Sequence, residues 1–102
     1  ERPIIGWLTA PAKKTVYLTG QIDRYVHDHA QNWIWIADFK TGIAQYDNQA
    51  YLGQMALYRH LLREACGVDD IRCSLIWTQS GENIFFDTDK LDRALEDIFK
   101  KL

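Results

Sequence analysis

Polar residues that could act together chemically lie in the first part of the chain, at Asp23, Asp38, Lys40 and Gln54. Successive side chains of a strand alternate between its two faces, so Asp38 and Lys40 share a face if their segment is a strand. Carboxylates beside an ammonium group are typical of a site for a hard divalent metal ion and a phosphate ester that is cleaved. One interpretation is therefore a metal site that acts on phosphate.

A second interpretation of the same residues is a charged strand surface. An aspartate two residues before a lysine is common on exposed strands, where the two charges form a weak ion pair at most. A hairpin centred between Ala30 and Gln31 would place Asp23 opposite Asp38, and two facing carboxylates repel each other. A bound divalent cation would turn this repulsion into attraction. Spacing alone leaves both interpretations open.

The elements that would carry these residues follow from hydrophobic periodicity and from turn-forming residues. The segment 33–40 has apolar side chains on both faces at its start, which is typical of a central strand. Gly67 can end a helix that Asp47 or Asn48 could cap. In chain order, we predict an extended lead-in over 1–12, a strand over 14–26 that bends at Gly20, a turn over 28–32, a strand over 33–40, a loop over 41–46, a helix over 49–66, a strand over 71–78, a turn over 80–83, a strand over 84–86, and a helix that is capped within 87–89 and ends at 100.

This order of strands and helices indicates an α/β domain with a mixed central sheet and helices packed against it. Trp33 and Trp35 could stack on nucleic acid bases, but burial beneath a helix is the preferred interpretation. Helix residues that recur at helical spacing are expected to face the core. They are Tyr51, Met55, Tyr58, Leu62 and Ala65 in the first helix, and Leu91, Leu95, Ile98 and Phe99 in the last.

Composition sets limits on the class of protein. A chain of 102 residues indicates one domain, over 1–102, and the formal net charge of −2 argues against a general electrostatic nucleic-acid binder. It does not argue against an enzyme that acts on nucleic acid and whose acidic residues hold metal. No apolar run is long enough for a membrane span and no secretory signal is present, so we expect a cytoplasmic protein. A disulfide between the two cysteines, Cys66 and Cys73, is one interpretation, and buried free thiols are the preferred one.

Other polar residues have plainer interpretations. His27 and His29 flank the predicted turn, where exposed turn histidines are preferred to metal ligands because no third ligand lies nearby in the sequence. His60 is expected on the exposed side of the first helix. Arg24, Lys40, Arg59 and Arg63 could form a basic rim for phosphates, although Arg59 and Arg63 could equally belong to a solvated helix face.

Three motifs in order give the chain a resemblance to a known family. They are Gly20-Gln21-Ile22-Asp23-Arg24, Ile36-Ala37-Asp38-Phe39-Lys40-Thr41-Gly42 and Tyr51-Leu52-Gly53-Gln54-Met55-Ala56-Leu57-Tyr58. Together they resemble the RecB-like branch of the PD-(D/E)XK nuclease superfamily, and most of all the C-terminal nuclease domain of bacterial AddA-type helicase–nucleases. The resemblance covers roughly residues 1–86 and implies a restriction-endonuclease-like core.

The resemblance also implies roles for individual residues. Asp23 and Asp38 would ligate Mg²⁺ or Mn²⁺, with the backbone carbonyl of Phe39 as a further ligand. Lys40 would position the attacking water or stabilise charge on the phosphate. The resemblance thereby implies a metal-dependent deoxyribonuclease that acts without a covalent intermediate.

Gln54 and Tyr58 would match the glutamine and tyrosine of a helix that borders the site in this branch. By the same resemblance, the chain would act as an exonuclease that processes DNA ends for recombinational repair in a bacterium. Its partners would be DNA with single-stranded ends, a helicase domain of the same parent chain and a second subunit. The alternative is a non-catalytic scaffold that binds a partner.

One departure from the family concerns the start of the domain. The family fold begins with a helix that often carries a histidine or an acidic ligand, and this sequence starts after that point. The expected domain is therefore truncated, without its N-terminal core helix and with fewer metal ligands. The phosphate-binding loop of a helicase motor, with its glycine-lysine signature, does not occur in the sequence.

Overall fold

A computed structural model describes residues 2–9 and 15–101, with side-chain surroundings from residue 22 onwards. No helix in this part of the chain is both long enough and apolar enough to span a membrane. The described elements are, in chain order, β1 (Arg2–Thr9), β2 (Thr15–Ile22), β3 (Arg24–Asp28), β4 (Trp33–Lys40), α1 (Gln49–Cys66), β5 (Asp70–Trp77), β6 (Glu82–Phe85) and α2 (Thr88–Lys101).

The strands form a hairpin and a larger mixed sheet. β1 and β2 pair antiparallel with each other, while the larger sheet has the order β3-β4-β5-β6. β4 and β5 are parallel and the other neighbours are antiparallel. A parallel pair needs a crossover connection, and α1 supplies it. The mixed α/β sheet with two helices has the predicted architecture, which is consistent with a restriction-endonuclease-like core.

The core lies on one face of the larger sheet. Ile34 and Ile36 of β4 are fully buried there, and Ile71, Cys73 and Leu75 of β5 are almost fully buried beside them. Both helices contribute to this core, α1 with Met55, Ala56, Tyr58 and Leu61 and α2 with Leu91. The helices therefore cover the face of β4 that also carries Asp38.

The opposite face of the sheet carries Trp33 and Trp35, which are only half-buried. The guanidinium of Arg24 lies 5.4 Å from the centre of the Trp35 ring, and that of Arg72 lies 4.7 Å from the Trp33 ring. The core that α1 and α2 build is on the other face. The expectation that these tryptophans lie beneath a helix is wrong for the described part of the chain.

The predicted strand over 14–26 is two strands, and its bend lies at Asp23 rather than at Gly20. β2 pairs with β1, whereas β3 pairs with β4, so the chain leaves one sheet and enters the other between Ile22 and Arg24. The lead-in predicted over 1–12 contains β1, and its residues 1 and 10–12 lie outside the described residues, as does residue 14 of the predicted strand. A change of pairing partner leaves no local sequence signal, which explains the error.

The boundaries of α1 agree with the prediction. Asn48 is the N-terminal cap residue, but its side chain makes no capping hydrogen bond. At the other end, Gly67 has a φ of 68°, and its N–H donates to the carbonyl of Arg63 at 2.9 Å. A left-handed residue at this position favours glycine, which has no Cβ to clash.

The inward face of α1 differs in part from the prediction. Met55 and Tyr58 are buried as expected, whereas Ala65 is exposed and Arg59 is buried. The Nε of Arg59 donates to the carbonyl of Ile71 at 3.0 Å, and its Nη1 lies 2.6 Å from a carboxylate oxygen of Asp92. α2 packs against the side of α1 that carries Arg59. This polar side of α1 is therefore an interhelix contact rather than a surface in water.

Both cysteines are free, as predicted, but only one is buried. Burial raises the pKa of the Cys73 thiol to about 12, because the thiolate would lose its hydration. Cys66 is exposed at the end of α1, so the expectation that it is buried is wrong. In α2, Leu91 is buried, while the other predicted core residues are half-buried; they are Leu95, Ile98 and Phe99.

Candidate functional site

The β3–β4 hairpin brings Asp23 close to Asp38. Arg24 pairs with Ala37 and Tyr25 with Ile36, which is the register predicted from the sequence. Asp23 lies one residue before β3, at the bend, and so is opposite Asp38 but outside the ladder. Because Asp23 does not pair with β4 as a strand residue, its carboxylate can turn towards β4, where it accepts a hydrogen bond from the N–H of Phe39 at 3.0 Å.

Asp38 is a buried carboxylate whose ionisation costs free energy. Only 7% of its surface is exposed. Burial raises its pKa, and the nearby negative charge of Asp23 raises it further, while the ammonium of Lys40 and a hydrogen bond from the backbone of Asp23 lower it. The net direction is upward. A cation between the two carboxylates would favour their ionised forms.

Lys40 lies between an acid and an aromatic ring. Its Nζ is 4.0 Å from a carboxylate oxygen of Asp38 and 4.3 Å from the centre of the Tyr51 ring. An ammonium over an aromatic face is attracted by the electrons of the ring. Tyr51, for which core packing is the preferred interpretation from sequence, therefore contacts the lysine of the site. The signal that could have revealed this is its position one helical turn before Gln54, on the same side of α1.

Gln54 and Tyr58 contact each other on α1. The amide Nε2 of Gln54 donates to the hydroxyl of Tyr58 at 2.9 Å, as residues four apart on a helix can. Tyr58 is buried and Gln54 is exposed. Within the described residues, no hydrogen bond or ion pair joins either side chain to Asp23 or Asp38.

The donor atoms suit a hard divalent cation. The N–H and C=O of a strand residue point to the same edge, so the carbonyl of Phe39 faces the side of β4 on which Asp23 lies. Two carboxylates and one carbonyl are thus available, and the described residues contain no group of three or more acidic, histidine or cysteine side chains placed to hold a metal ion. Mg²⁺ commonly binds through one or two carboxylates and fills its shell with water and substrate phosphate, so this set of donors fits it.

The predicted basic rim is not present as expected. Arg59 is buried against α2, and Arg24 lies over Trp35, on the far face of the sheet. Arg63 donates to the carbonyl of Asp69 at 3.3 Å. Among the described residues of that set, only Lys40 lies at the two carboxylates.

The histidines take no part in this site. His27 is half-buried rather than exposed, and its ring lies 3.9 Å from that of His29. Its Nε2 is buried without a hydrogen-bond partner in the described residues. His60 is also half-buried and packs edge-on against Phe99 at 5.5 Å, so its expected exposure is wrong.

Comparison with known proteins adds one match. The model of the PD-(D/E)XK nuclease superfamily matches residues 3–97 of the chain. No curated protein and no solved structure matches it.

Proposed function

The chain belongs to the PD-(D/E)XK nuclease superfamily, and on that premise we propose that it hydrolyses DNA phosphodiester bonds with the help of a divalent metal ion. The observation that carries the proposal is the arrangement of Asp23, Asp38 and Lys40 at one point of the sheet. A surface ion pair would leave its aspartate in water, whereas Asp38 is 7% exposed and close to a second carboxylate. This burial favours the metal site over the charged-surface interpretation.

The residues of the site would have two roles, metal binding and stabilisation of charge on the phosphate. Asp23 and Asp38, with the carbonyl of Phe39, would hold Mg²⁺ or Mn²⁺. A bound divalent cation supplies an acidified water and neutralises charge on the phosphate. Lys40 would orient the attacking water or stabilise charge on a phosphate oxygen, since an ammonium is a compact point charge for phosphate.

Tyr51 would keep the ammonium of Lys40 in place, because its ring lies beneath that group. Gln54 and Tyr58 would border the site from α1, joined by their hydrogen bond. The hydroxyl of Tyr58 accepts from Gln54 and keeps its own proton to donate, so the pair could present a donor to the substrate backbone.

The biological setting is a further part of the proposal. We propose that the chain acts as an exonuclease of the RecB-like type on DNA ends in recombinational repair in the bacterial cytoplasm. It would do so beside a helicase domain of an AddA-type parent chain and a second subunit. The support is the order of the three motifs, from Gly20 to Tyr58.

A cleavage assay tests the central claim. End-labelled single-stranded DNA is incubated with Mn²⁺ and the wild-type chain, Asp38→Ala or Lys40→Ala, with Lys100→Ala as the matched control for loss of a lysine. We expect cleavage by the wild type and by Lys100→Ala, and a loss of about 100-fold or more in the two site variants, as for removal of one charge-stabilising group. Equal cleavage by Lys40→Ala would contradict the assigned role of Lys40.

The rival is a non-catalytic scaffold that binds a partner, and the small number of acidic ligands at the site favours it. Metal binding separates the two functions. A nuclease requires the wild type to bind Mn²⁺ more tightly than Asp38→Ala, whereas a scaffold predicts equal affinities. Equal Mn²⁺ affinities of the wild type and Asp38→Ala, measured by calorimetry, would contradict the metal site and with it the proposed function.

A further inference from the structure

A cavity of about 460 Å³ lies at the edge of the sheet, between the segment that leads into α1, strand β6 and the first turn of α2. Its volume is within the range of pockets that bind small molecules. Leu52, Ile84 and Phe86 give it apolar walls, and Asn48 and Lys90 add polar groups. The lining therefore mixes apolar walls with several polar side chains, which suits a flat ligand that is itself partly polar.

Asn48 lines this cavity, and its side-chain oxygen has no hydrogen-bond partner in the described residues. The residue is 8% exposed, and its Oδ1 is buried without a partner in the described part of the chain. Although it is the cap residue of α1, its side chain does not bond the helix N-terminus. A buried polar atom without a partner calls for an explanation. A rotation of the Asn48 side chain would bring Oδ1 into the cavity, where a ligand that donates a hydrogen bond would supply the partner. An amide group pairs well with the edge of a nucleobase.

The cavity lies near the catalytic lysine. Lys40 pairs with Trp77, and Trp77 pairs with Glu82 of β6. Neighbouring strands are roughly 4.8 Å apart, so β6 lies about 10 Å from β4. Leu52 in the cavity wall directly follows Tyr51, whose ring contacts Lys40. A short run of nucleotides can therefore reach from a phosphate at Lys40 to the cavity.

The charges around the cavity favour a base over a phosphate inside it. Asp47 and Asp87 line it together with one cation, Lys90. The carboxylate of Asp87 accepts from the N–H of Asp89 at 2.8 Å, which holds it at the start of α2. Two carboxylates against one ammonium oppose a phosphate within the cavity. An uncharged base fits this environment, with its phosphate outside.

We propose that this cavity is a base subsite, which takes one nucleobase of the substrate strand close to the bond that is cleaved. This inference rests on the proposed nuclease function and deepens it. The base packs against Leu52 and Phe86, and its edge hydrogen-bonds to Asn48. A base held at a fixed distance from Lys40 sets the register of the strand on the two carboxylates.

The test uses single-stranded oligonucleotides that lack one base at a defined position. Wild-type cleavage first locates the cleaved bond, and binding is then measured with Lys40→Ala in Mn²⁺, so that the strand stays intact. We expect the missing base to weaken binding about tenfold at one position near the cleaved bond and little elsewhere, because a stacked base contributes about 1–3 kcal/mol and tenfold is 1.4 kcal/mol.

Two cavity variants of the Lys40→Ala chain then assign this effect to the cavity. Leu52→Trp fills it, and Asn48→Ala removes the amide in case the larger side chain disturbs folding. Leu52→Trp should abolish the position-dependent loss and Asn48→Ala should reduce it, while Glu64→Trp, which adds a tryptophan at an exposed position of α1, should retain it. Circular dichroism confirms that each variant is folded.

The possible results separate the two claims. Cleavage by the wild type with no position singled out would overturn the base subsite and leave the nuclease standing. The same loss in Leu52→Trp and Asn48→Ala as in the parent would overturn it too, because the base would then bind elsewhere. A wild-type chain that neither cleaves nor binds DNA would overturn both.

Discussion

At the scale of single residues, the site depends on charges that the fold holds apart from water. Asp38 is buried beside Asp23, and Lys40 is the cation nearest to it among the described residues. Tyr51 lies under that cation. The burial of the Asp38 carboxylate costs stability unless a metal ion compensates, as is common at functional sites.

Tyr51 allows a direct test of the lysine's position. Tyr51→Leu removes the ring beneath Lys40 and should lower kcat about fivefold, since a cation–π contact contributes about 1 kcal/mol. Tyr51→Phe keeps the ring and should retain most of the activity. Both variants should bind Mn²⁺ like the wild type, because the metal donors are untouched. A similar loss in both variants would instead assign the effect to the hydroxyl or to packing.

Asp38 predicts a pH dependence of stability. Its pKa is raised in the folded state, so the native protein binds the proton more tightly than the unfolded chain, where the pKa is about 3.9. The free energy of unfolding therefore falls as pH rises from that value through the raised pKa, and the penalty stays above it. Asp38→Asn should be about 1 kcal/mol more stable than the wild type near pH 7 without metal, and equally stable in strong acid.

Urea denaturation at several pH values, with a chelator present, measures this difference. Asp97→Asn, at an exposed position of α2, is the control and should follow the wild type. Added Mn²⁺ should stabilise the wild type and leave Asp38→Asn unchanged, because only the former has both carboxylates. A less stable Asp38→Asn at neutral pH without metal would contradict the assigned electrostatics.

At the scale of elements, α1 is the helix that links the sheet, the site and α2. It connects the two parallel strands, carries Tyr51 to its contact with Lys40, and contacts α2 through Arg59. The guanidinium of Arg59 joins three elements, because it donates to the carbonyl of Ile71 in β5 as well as to Asp92 in α2.

The loss of this contact should destabilise the fold. The side chain of Arg59 is 10% exposed and that of Asp92 is 54% exposed. Asp92→Ala should therefore cost about 1–2 kcal/mol, less than for a fully buried pair because water screens the carboxylate. Arg59→Ala should cost more, since it also leaves the carbonyl of Ile71 without this donor.

Denaturant unfolding measures both changes. The matched control is the exposed ion pair between Arg72 and Asp70, whose side chains are 47% and 54% exposed. Asp70→Ala should change the free energy of unfolding by less than about 1 kcal/mol. Equal effects of Asp70→Ala and Asp92→Ala would mean that Arg59 does not join the helices as the structure indicates.

At the scale of the whole molecule, the two faces of the larger sheet differ. The core, Asp38 and both helices lie on one face, whereas Trp33 and Trp35 lie half-buried with arginines on the other. Cys73 is within the core, 1% exposed, while Cys66 is outside it at the end of α1. The cysteines therefore report on the integrity of the packed face.

Thiol labelling makes this difference measurable. Cys66 should react at the rate of an exposed thiol, and Cys73, with a pKa raised to about 12 by burial, should react only when the fold opens. Mass spectrometry identifies the labelled residue. Cys66→Ser should abolish the fast reaction, and its labelling in rising urea should follow unfolding. Fast labelling of Cys73 in the native protein would mean that the helices do not cover the sheet.

Sequence alone predicted much of this protein, where the signals are local. The boundaries of β4 and α1 follow from periodicity and from Gly67, the register of the β3–β4 hairpin was predicted from the sequence, and the superfamily follows from three motifs in order. The proximity of Asp23 to Asp38 follows from that register. Alternation of side chains and the geometry of a turn act within one or two elements, so the sequence determines them.

Tertiary structure decided what depends on distant neighbours. The division of the first predicted strand at Asp23 results from a change of pairing partner between two sheets. The burial of Arg59 results from the position of α2, and the surroundings of Trp33 and Trp35 from the placement of both helices on the other face. The contact of Tyr51 with Lys40 joins a helix to a strand. Burial and contact are properties of packed elements, and no local pattern states which element will cover a given residue.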